Sequence, residues 1–326
     1  MIQNTIKTRV VGIDISIDRT VYAIVDMRGN ILGRDSFPTT DFDNANDFVN
    51  FLGDNLLAFI EAHEGYDTIR SVGVSVPSGN FLTGCIEHSP NLPWKGRIPL
   101  SAMLRDRLGL AVALGNDAHV RALGEYVYGS AHGMKDFIMV NLGHGVGSCI
   151  FCNGKAYLGA EGFSGEIGHI CVEHDGRLCG CGNRGCLEAY VGANGIVRTV
   201  KEIIERDGAL SAMKDEPELT PLRVFEYCEK GDPVAIEAFR RSGDMLGIAL
   251  ANYASVFNPE AIILSGGVSH AGKWLIGPAM ESFDSHVFHN MRGKVKILTS
   301  MLEDVERGML GAAALAWDVK EYSLFV

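Results

Sequence analysis

Near its start the chain carries three stretches rich in β-branched residues, 9–14, 20–26 and 30–37, parted by polar turn residues such as Met27-Arg28-Gly29-Asn30. This pattern predicts a strand meander. Over 43–63 the period changes: Phe48, Val49, Leu52, Leu56, Phe59 and Ile60 recur three and four apart, the stripe of an amphipathic helix. Residues 69–76 read as a strand ended by Pro77, 100–108 as a helix, 110–114 as a strand, 117–128 as a helix and 137–142 as a strand. A second hairpin series follows, 146–151 and 155–158 about Asn153-Gly154. After a cysteine-rich loop the chain turns helical, most clearly over 234–257, then returns to strand at 261–264. A helix after Gly308 ends it. Two segments echo each other: strand, Asp14 turn, strand, 26–29 turn, strand; and strand, Gly143-His144-Gly145, strand, Asn153-Gly154, strand. A meander repeated ahead of alternating helix and strand predicts a duplicated α/β lobe, the two lobes facing across a cleft floored by the hairpin turns.

Composition narrows the function. At 326 residues the chain predicts two domains, and 47% hydrophobic with 21% charged residues is a globular balance. Lys and Arg total 29 against 40 Asp and Glu, a formal charge of −11. A surface that grips a phosphate backbone needs the opposite sign, which argues against nucleic acid as a main partner. No apolar run reaches the ~20 residues of a membrane span; 310–317 is interrupted by Gly311. The polar start leads straight into a strand, so no signal peptide is expected, and a cytoplasmic protein with reduced thiols is the expectation. Glycine is frequent, 39 residues, which suggests backbone held close to a ligand.

Five clusters bear on the chemistry. His169 with Cys179, Cys181 and Cys186, spaced by glycines, matches a closed Cys₃His zinc site. Cys171 is a competing ligand, on the same strand face as His169. Cys149 and Cys152 imitate a C-x-x-C pair but fall on a strand, pointing to opposite faces, and read as core. Gly115-Asn116-Asp117 follows a strand and opens a helix, placing Asp117 as a general base or as a plain N-cap. Gly143-His144-Gly145-Val146-Gly147 lacks the following helix of a dinucleotide fingerprint; a backbone cradle for phosphate or a glycine hairpin are its two readings. Glu166 and Glu188 bracket the cysteine loop and suit sugar hydroxyls, or are surface charges. Ser89-Pro90-Asn91-Leu92-Pro93-Trp94 is a binding loop or a structural one.

Glu166-Ile-Gly-His169 followed by Cys179-Gly-Cys181-Gly-Asn-Arg-Gly-Cys186-Leu-Glu188 resembles the signature of the ROK family (repressors, open reading frames, sugar kinases). Pro90 to Trp94, Gly115-Asn116-Asp117-Ala118 and Ile262-Ile-Leu-Ser-Gly-Gly-Val268 agree with it in order and spacing. The resemblance spans essentially the whole chain. It implies an α/β fold of two ribonuclease-H-like, actin/hexokinase-type lobes around a cleft with a structural zinc loop. The smaller lobe would take 1–117 plus the C-terminal helix 308–326, and the larger 118–307. With the first strand near Arg9, the repressors' DNA-binding segment has no room ahead of it, so the kinase branch is expected. The implied activity is ATP-dependent phosphorylation of a hexose, glucose first, at its 6-hydroxyl, with Mg²⁺, structural Zn²⁺ and a homodimer. Carried over by position, Asp117 is the base. Gly79, Asn91, Asn116, Asp117, Glu166, His169 and Glu188 hold the sugar. Asp14, Gly143, His144, Gly145, Gly266 and Gly267 face the nucleotide or its metal. His169 would serve zinc with one ring nitrogen and sugar with the other.

The phosphate side departs from the family pattern. Its first phosphate loop reads Asp-x-Gly-Gly-Thr, whereas this chain has Asp14-Ile15-Ser16-Ile17-Asp18. Gly-Thr-Gly becomes Gly143-His144-Gly145, Ser265 stands where glycine is usual, and His119 where Asn is usual. The resemblance therefore implies a second reading as well, a sugar-binding or regulatory protein of kinase descent with weak or no catalysis.

Overall fold

The computed structural model describes residues 7–63, 65–89, 92–206 and 208–319. They divide into two compact units: Met1–His132 with Leu158–Phe163 and Met301–Val326, and Gly133–Tyr157 with Ser164–Ser300.

In the first unit, β1 (Arg9–Ile15), β2 (Arg19–Asp26) and β3 (Ile31–Pro38) form the expected antiparallel meander. Helix α1 (Ala45–His63) leads to β4 (Ile69–Val76), which lies parallel to β1. Three short strands, β5 (Gly79–Asn80), β6 (Cys85–Glu87) and β7 (Arg97–Ile98), make a separate small sheet. Helix α2 (Leu100–Leu108), β8 (Ala111–Asn116) and α3 (Asp117–Tyr128) follow, β8 parallel to β4. The sheet order is β3-β2-β1-β4-β8.

The six apolar residues of the α1 stripe are all buried with Val11, Ile13, Val72 and Val74 of the sheet. Each large side chain so buried contributes about 1.5–3 kcal/mol before ordering costs. The C-terminal helix, Asp304–Trp317, sits with Val10, Ala23 and Val25 in a second apolar cluster. It begins four residues before the expected Gly308. Its approach is close: a Cβ on Gly73 of β4 would lie 1.8 Å from the Ala312 carbonyl oxygen.

Helix α3 belongs to this first unit, and the chain leaves it after His132 and not after Asp117. The reason is its packing on the C-terminal helix. A Cβ on Gly311 would meet the Val120 carbonyl at 2.1 Å. Nearby, Arg307 pairs with Glu125 at 3.3 Å, the two side chains 4% and 0% exposed.

The second unit repeats the plan. Strands β9 (Phe137–Leu142), β10 (Val146–Cys152) and β11 (Lys155–Ala156) are the antiparallel meander. Helices α4 (Glu188–Val191), α5 (Ala193–Arg206), α6 (Pro221–Glu229) and α7 (Pro233–Phe257) precede β12 (Ala261–Ser265). Helix α8 (Ile276–His286) and β13 (Lys296–Thr299) complete it. The order β11-β10-β9-β12-β13, with β9, β12 and β13 parallel, has the same topology as the first sheet. The echo in the sequence is a repeat in the structure. Helix α7 starts on Asp232, whose carboxylate accepts from Val234 N and Ala235 N, and ends on Asn258 in the left-handed region.

Candidate functional site

The cysteine loop closes on itself. Ligand atoms of His169, Cys179, Cys181 and Cys186 lie within 4.8 Å of one another. Cys179 Sγ is 3.7 Å from His169 Nδ1, and Cys181 Sγ is 3.7 Å from Cys186 Sγ. A tetrahedral zinc with the usual Zn–S and Zn–N lengths sets its ligand atoms about 3.5–3.8 Å apart. The donor chemistry and the spacing both fit that ion. Cys171 is outside the set: it is exposed, and its thiol donates to the Glu173 carbonyl. Burial pushes the Cys179 thiol up to about 12, whereas the Asn183 backbone draws Cys181 down. A bound cation would favour the thiolates that such burial resists. His169 ends a 3₁₀ turn, Ile167–His169, which Tyr253 of α7 anchors by donating to the Ile167 carbonyl at 2.7 Å.

Glu188 starts α4 two residues after the last thiol. Its Oε2 accepts from Val146 N at 3.0 Å, and Cys179 Sγ lies 3.5 Å from its Oε1. A Cβ on Gly145 would fall 2.3 Å from the same Oε2. The loop between β9 and β10 therefore needs glycine at 145 for Glu188 to reach it. Gly143 N donates to Gly145 O at 3.0 Å, a three-residue hairpin between Leu142 and Val146. A strand follows it, as expected, so the run is no dinucleotide fingerprint. His144 at the tip is exposed. Space around the backbone is open at Gly267, while Gly266 takes φ 85° above the Leu142 carbonyl. Ser265 Oγ is 3.2 Å from Asn141 Oδ1. Glu166 is exposed, and its carbonyl accepts from His169 N at 3.1 Å. Cys149 is buried, but Cys152 is only half-buried, so the expected core pair is one core thiol and one at its margin.

In the first unit, Asn116 is the N-cap of α3, its side chain accepting from Ala118 N at 2.9 Å. Asp117 is thus the first helical residue and not the cap. Its carboxylate pairs with Arg121 one turn on, Oδ2 to Nη1 3.2 Å. Arg121 Nη2 is also 3.7 Å from Asp14 Oδ2, and Ser75 Oγ donates to Asp14 Oδ1 at 2.6 Å. Burial alone would lower the Arg121 pKa, but the charges of Asp117 and Asp14 outweigh it and hold it raised. Neither Arg121 nor Ser75 stands out in the sequence. Arg121 had a signal, the four-residue spacing from Asp117; Ser75 had none, because only the parallel register places it beside Asp14.

Gly79 packs against the β8–α3 corner, where a Cβ would lie 2.7 Å from the Gly115 carbonyl oxygen. Asn91 lies outside the described residues. Leu92 and Trp94 of the same loop are 1% and 3% exposed, and Trp94 Nε1 donates to Phe42 O at 3.0 Å. That end of the loop is structural. The turn after Asp14 is closed by Ser16, whose hydroxyl donates to Arg19 O and accepts from Arg19 N. Its left-handed space is unused: the described non-glycine residues at positive φ are Ser78, His88, Asn153, Asp175 and Asn258.

A duplicated meander-and-crossover fold bearing one imidazole and three thiols on a glycine-rich loop defines the class, and the chain belongs to the ROK family, whose sequence pattern matches residues 10–319. A glucokinase from Thermotoga maritima is 31% identical over 313 residues, covering 95% of this chain and 97% of the relative. A crystal structure of a ROK family glucokinase from Streptomyces griseus in complex with glucose and AMPPNP shares 30% identity at a TM-score of 0.79, covering 95% of this chain and 100% of that one. A xylose repressor from Caldicellulosiruptor bescii is 26% identical over 299 residues, 90% of this chain and 75% of the repressor. Among the described residues no helix is long and apolar enough to cross a membrane.

Proposed function

We propose that the chain transfers a phosphoryl group from ATP·Mg²⁺ to a hexose, glucose first. The observation that carries this reading is the division of labour at the start of α3. Asn116 takes the cap, which leaves the Asp117 carboxylate, 29% exposed, for a proton. In this reading Asp117 accepts the proton of the sugar's 6-hydroxyl as that oxygen bonds to the γ-phosphorus. The bond from phosphorus to the bridging oxygen breaks, and ADP leaves. Asn116 Oδ1 is committed to Ala118 N, so its NH₂ group is the part that faces a hydroxyl. Glu166, Glu188, Asn91, the Gly79 backbone and the second ring nitrogen of His169 hold the remaining hydroxyls. Nδ1 of His169, beside Cys179, is the nitrogen that would serve a zinc ion. Zinc held by His169, Cys179, Cys181 and Cys186 supplies a cross-link and no chemistry of transfer. Asp14, Gly143, His144, Gly145, Gly266 and Gly267 are assigned to the nucleotide and its Mg²⁺. Similarity to glucokinases supports the hexose; a homodimer belongs to the same reading.

One observation favours a second reading, a sugar-binding or regulatory protein with weak transfer. The Ser16 hydroxyl is spent on its own turn, and Ile17 and Asp18 follow it where phosphate needs room and donors. A coupled ADP-release assay over glucose, mannose and N-acetyl hexoses separates the two. Hexose-dependent turnover carries the kinase reading; hexose binding by calorimetry with no ADP release carries the other.

A further inference from the structure

The first unit holds a charged triad whose cation, Arg121, the reading above does not use. Asp14 on β1 and Asp117 on α3 are joined by one guanidinium: Arg121 Nη1 is 3.2 Å from Asp117 Oδ2, and Nη2 is 3.7 Å from Asp14 Oδ2. The three side chains are 14%, 29% and 18% exposed for Asp14, Asp117 and Arg121. They are partly desolvated, yet each keeps one side to solvent. Asp14 has no retreat from the cation. Ser75 Oγ holds its other oxygen at 2.6 Å, and a Cβ on Gly308 of the C-terminal helix would lie within 2.1–2.6 Å of its carboxylate. Asp304 of the same helix adds a further negative charge felt by Arg121, and itself pairs with Arg307 at 2.8 Å.

As a stabilising device this triad is poor. Three partly buried charges cost several kcal/mol of hydration, and apolar replacements of such networks are often neutral or favourable. Its charge, however, suits a particular task. Two carboxylates side by side repel an incoming polyphosphate, and one fixed cation between them removes half of that repulsion. Arginine fits the place because its planar fork meets two acceptors at once and is weakly hydrated.

We propose that Arg121 is the internal counter-cation of the phosphate-side carboxylates, a positioning residue that fixes the Asp117 carboxylate and lets a nucleotide's terminal phosphate approach Asp14. The proposal rests on the kinase reading. It makes Arg121 matter more for nucleotide than for sugar, which six residues besides Asp117 also hold.

The test uses the full chain and the variants R121M, R121K and R121Q, with calorimetry of Mg·AMPPNP and of glucose on each, and steady-state kinetics. R121M is expected to bind Mg·AMPPNP on the order of tenfold or more weakly, from the loss of one nearby unit charge. Its KM for Mg·ATP should rise and its kcat fall, with glucose affinity held within twofold. R121K, which keeps the charge but not the fork, should recover most of the nucleotide affinity. A merely structural fork would be lost equally in R121K and R121M. Should R121M not fold, R121Q takes its place. Nucleotide affinity and KM for Mg·ATP within twofold of the parent in R121M or R121Q overturns the proposal while the kinase reading stands. A parent that releases no ADP with any hexose and gives no Mg·AMPPNP signal overturns the kinase reading, and the proposal with it.

Discussion

Asp117 stands one residue inside α3, and that single-residue offset decides what a substitution there can mean. The sequence allowed a base or a cap. Because Asn116 provides the cap, Asp117→Asn removes a carboxylate without removing the hydrogen bond that starts the helix. Turnover should fall by ~10²–10⁴-fold, typical of a lost general base. Thermal stability should change less than turnover, since Arg121 keeps Asp14 as a charged partner at 3.7 Å when the Asp117 charge is removed. Kinetics and a melting curve on the same preparation check this, and near-parent turnover would remove the base assignment. Asn116→Ala should do the reverse first: about 1 kcal/mol of stability lost with the cap.

Among the elements, the cysteine loop and α4 are tied together. Glu188 begins α4 two residues after Cys186, and its carboxylate reaches both Val146 N and Cys179. Protein purified without chelator should carry about one zinc per chain by metal analysis. Cys181→Ser should lower metal content and weaken hexose binding together, because the segment carrying Glu188 loses its tie. Unchanged sugar affinity in zinc-free protein would detach the loop from the site. Helix α7 offers a pH test. Arg240 grips Glu237 with two hydrogen bonds, 2.7 and 2.9 Å, and with Arg241 holds its carboxyl down at about 2. A depressed carboxylate stabilises the fold above its unfolded pKa and loses that contribution as pH falls through the folded one. With Arg240 49% and Glu237 32% exposed the pair is screened, so Glu237→Gln should cost about 1 kcal/mol or less at pH 7. The gap between the melting temperatures of parent and variant should narrow from about pH 4.5 downward.

At the scale of the whole molecule, the altered loops on the phosphate side predict a protein that binds hexose normally and ATP poorly. Ser16 and Ile17 occupy space that glycine would leave open, and Asp18 presents a carboxylate where a donor is wanted. Two unit charges ~4 Å apart repel by about 4 kcal/mol at an effective dielectric near 20. Calorimetry with glucose and with Mg·ATP on one sample should give a clear sugar signal and a faint nucleotide signal. The combined change Ser16→Gly, Ile17→Gly, Asp18→Thr and His144→Thr should raise turnover. A parent that turns over at ~1–100 per second would show the loops to be adequate as they stand.

Periodicity by itself determined most of the local structure. The 69–76 strand and the helices 100–108 and 117–128 fall at the predicted residues. Local patterning also set the duplicated meander and the grouping of His169 with three thiols, because helices, hairpins and a short glycine-rich loop are contacts between near neighbours. Tertiary structure decided what depends on distant segments meeting. The parallel register Asp14 to Ser75 joins residues 61 positions apart, and no local pattern encodes a parallel pair. The home of α3 was decided by glycines of the C-terminal helix, where backbones touch with no side chain to announce it. The fork of Arg121 needed both: a four-residue spacing that was legible, and a strand end whose place beside α3 only packing could supply.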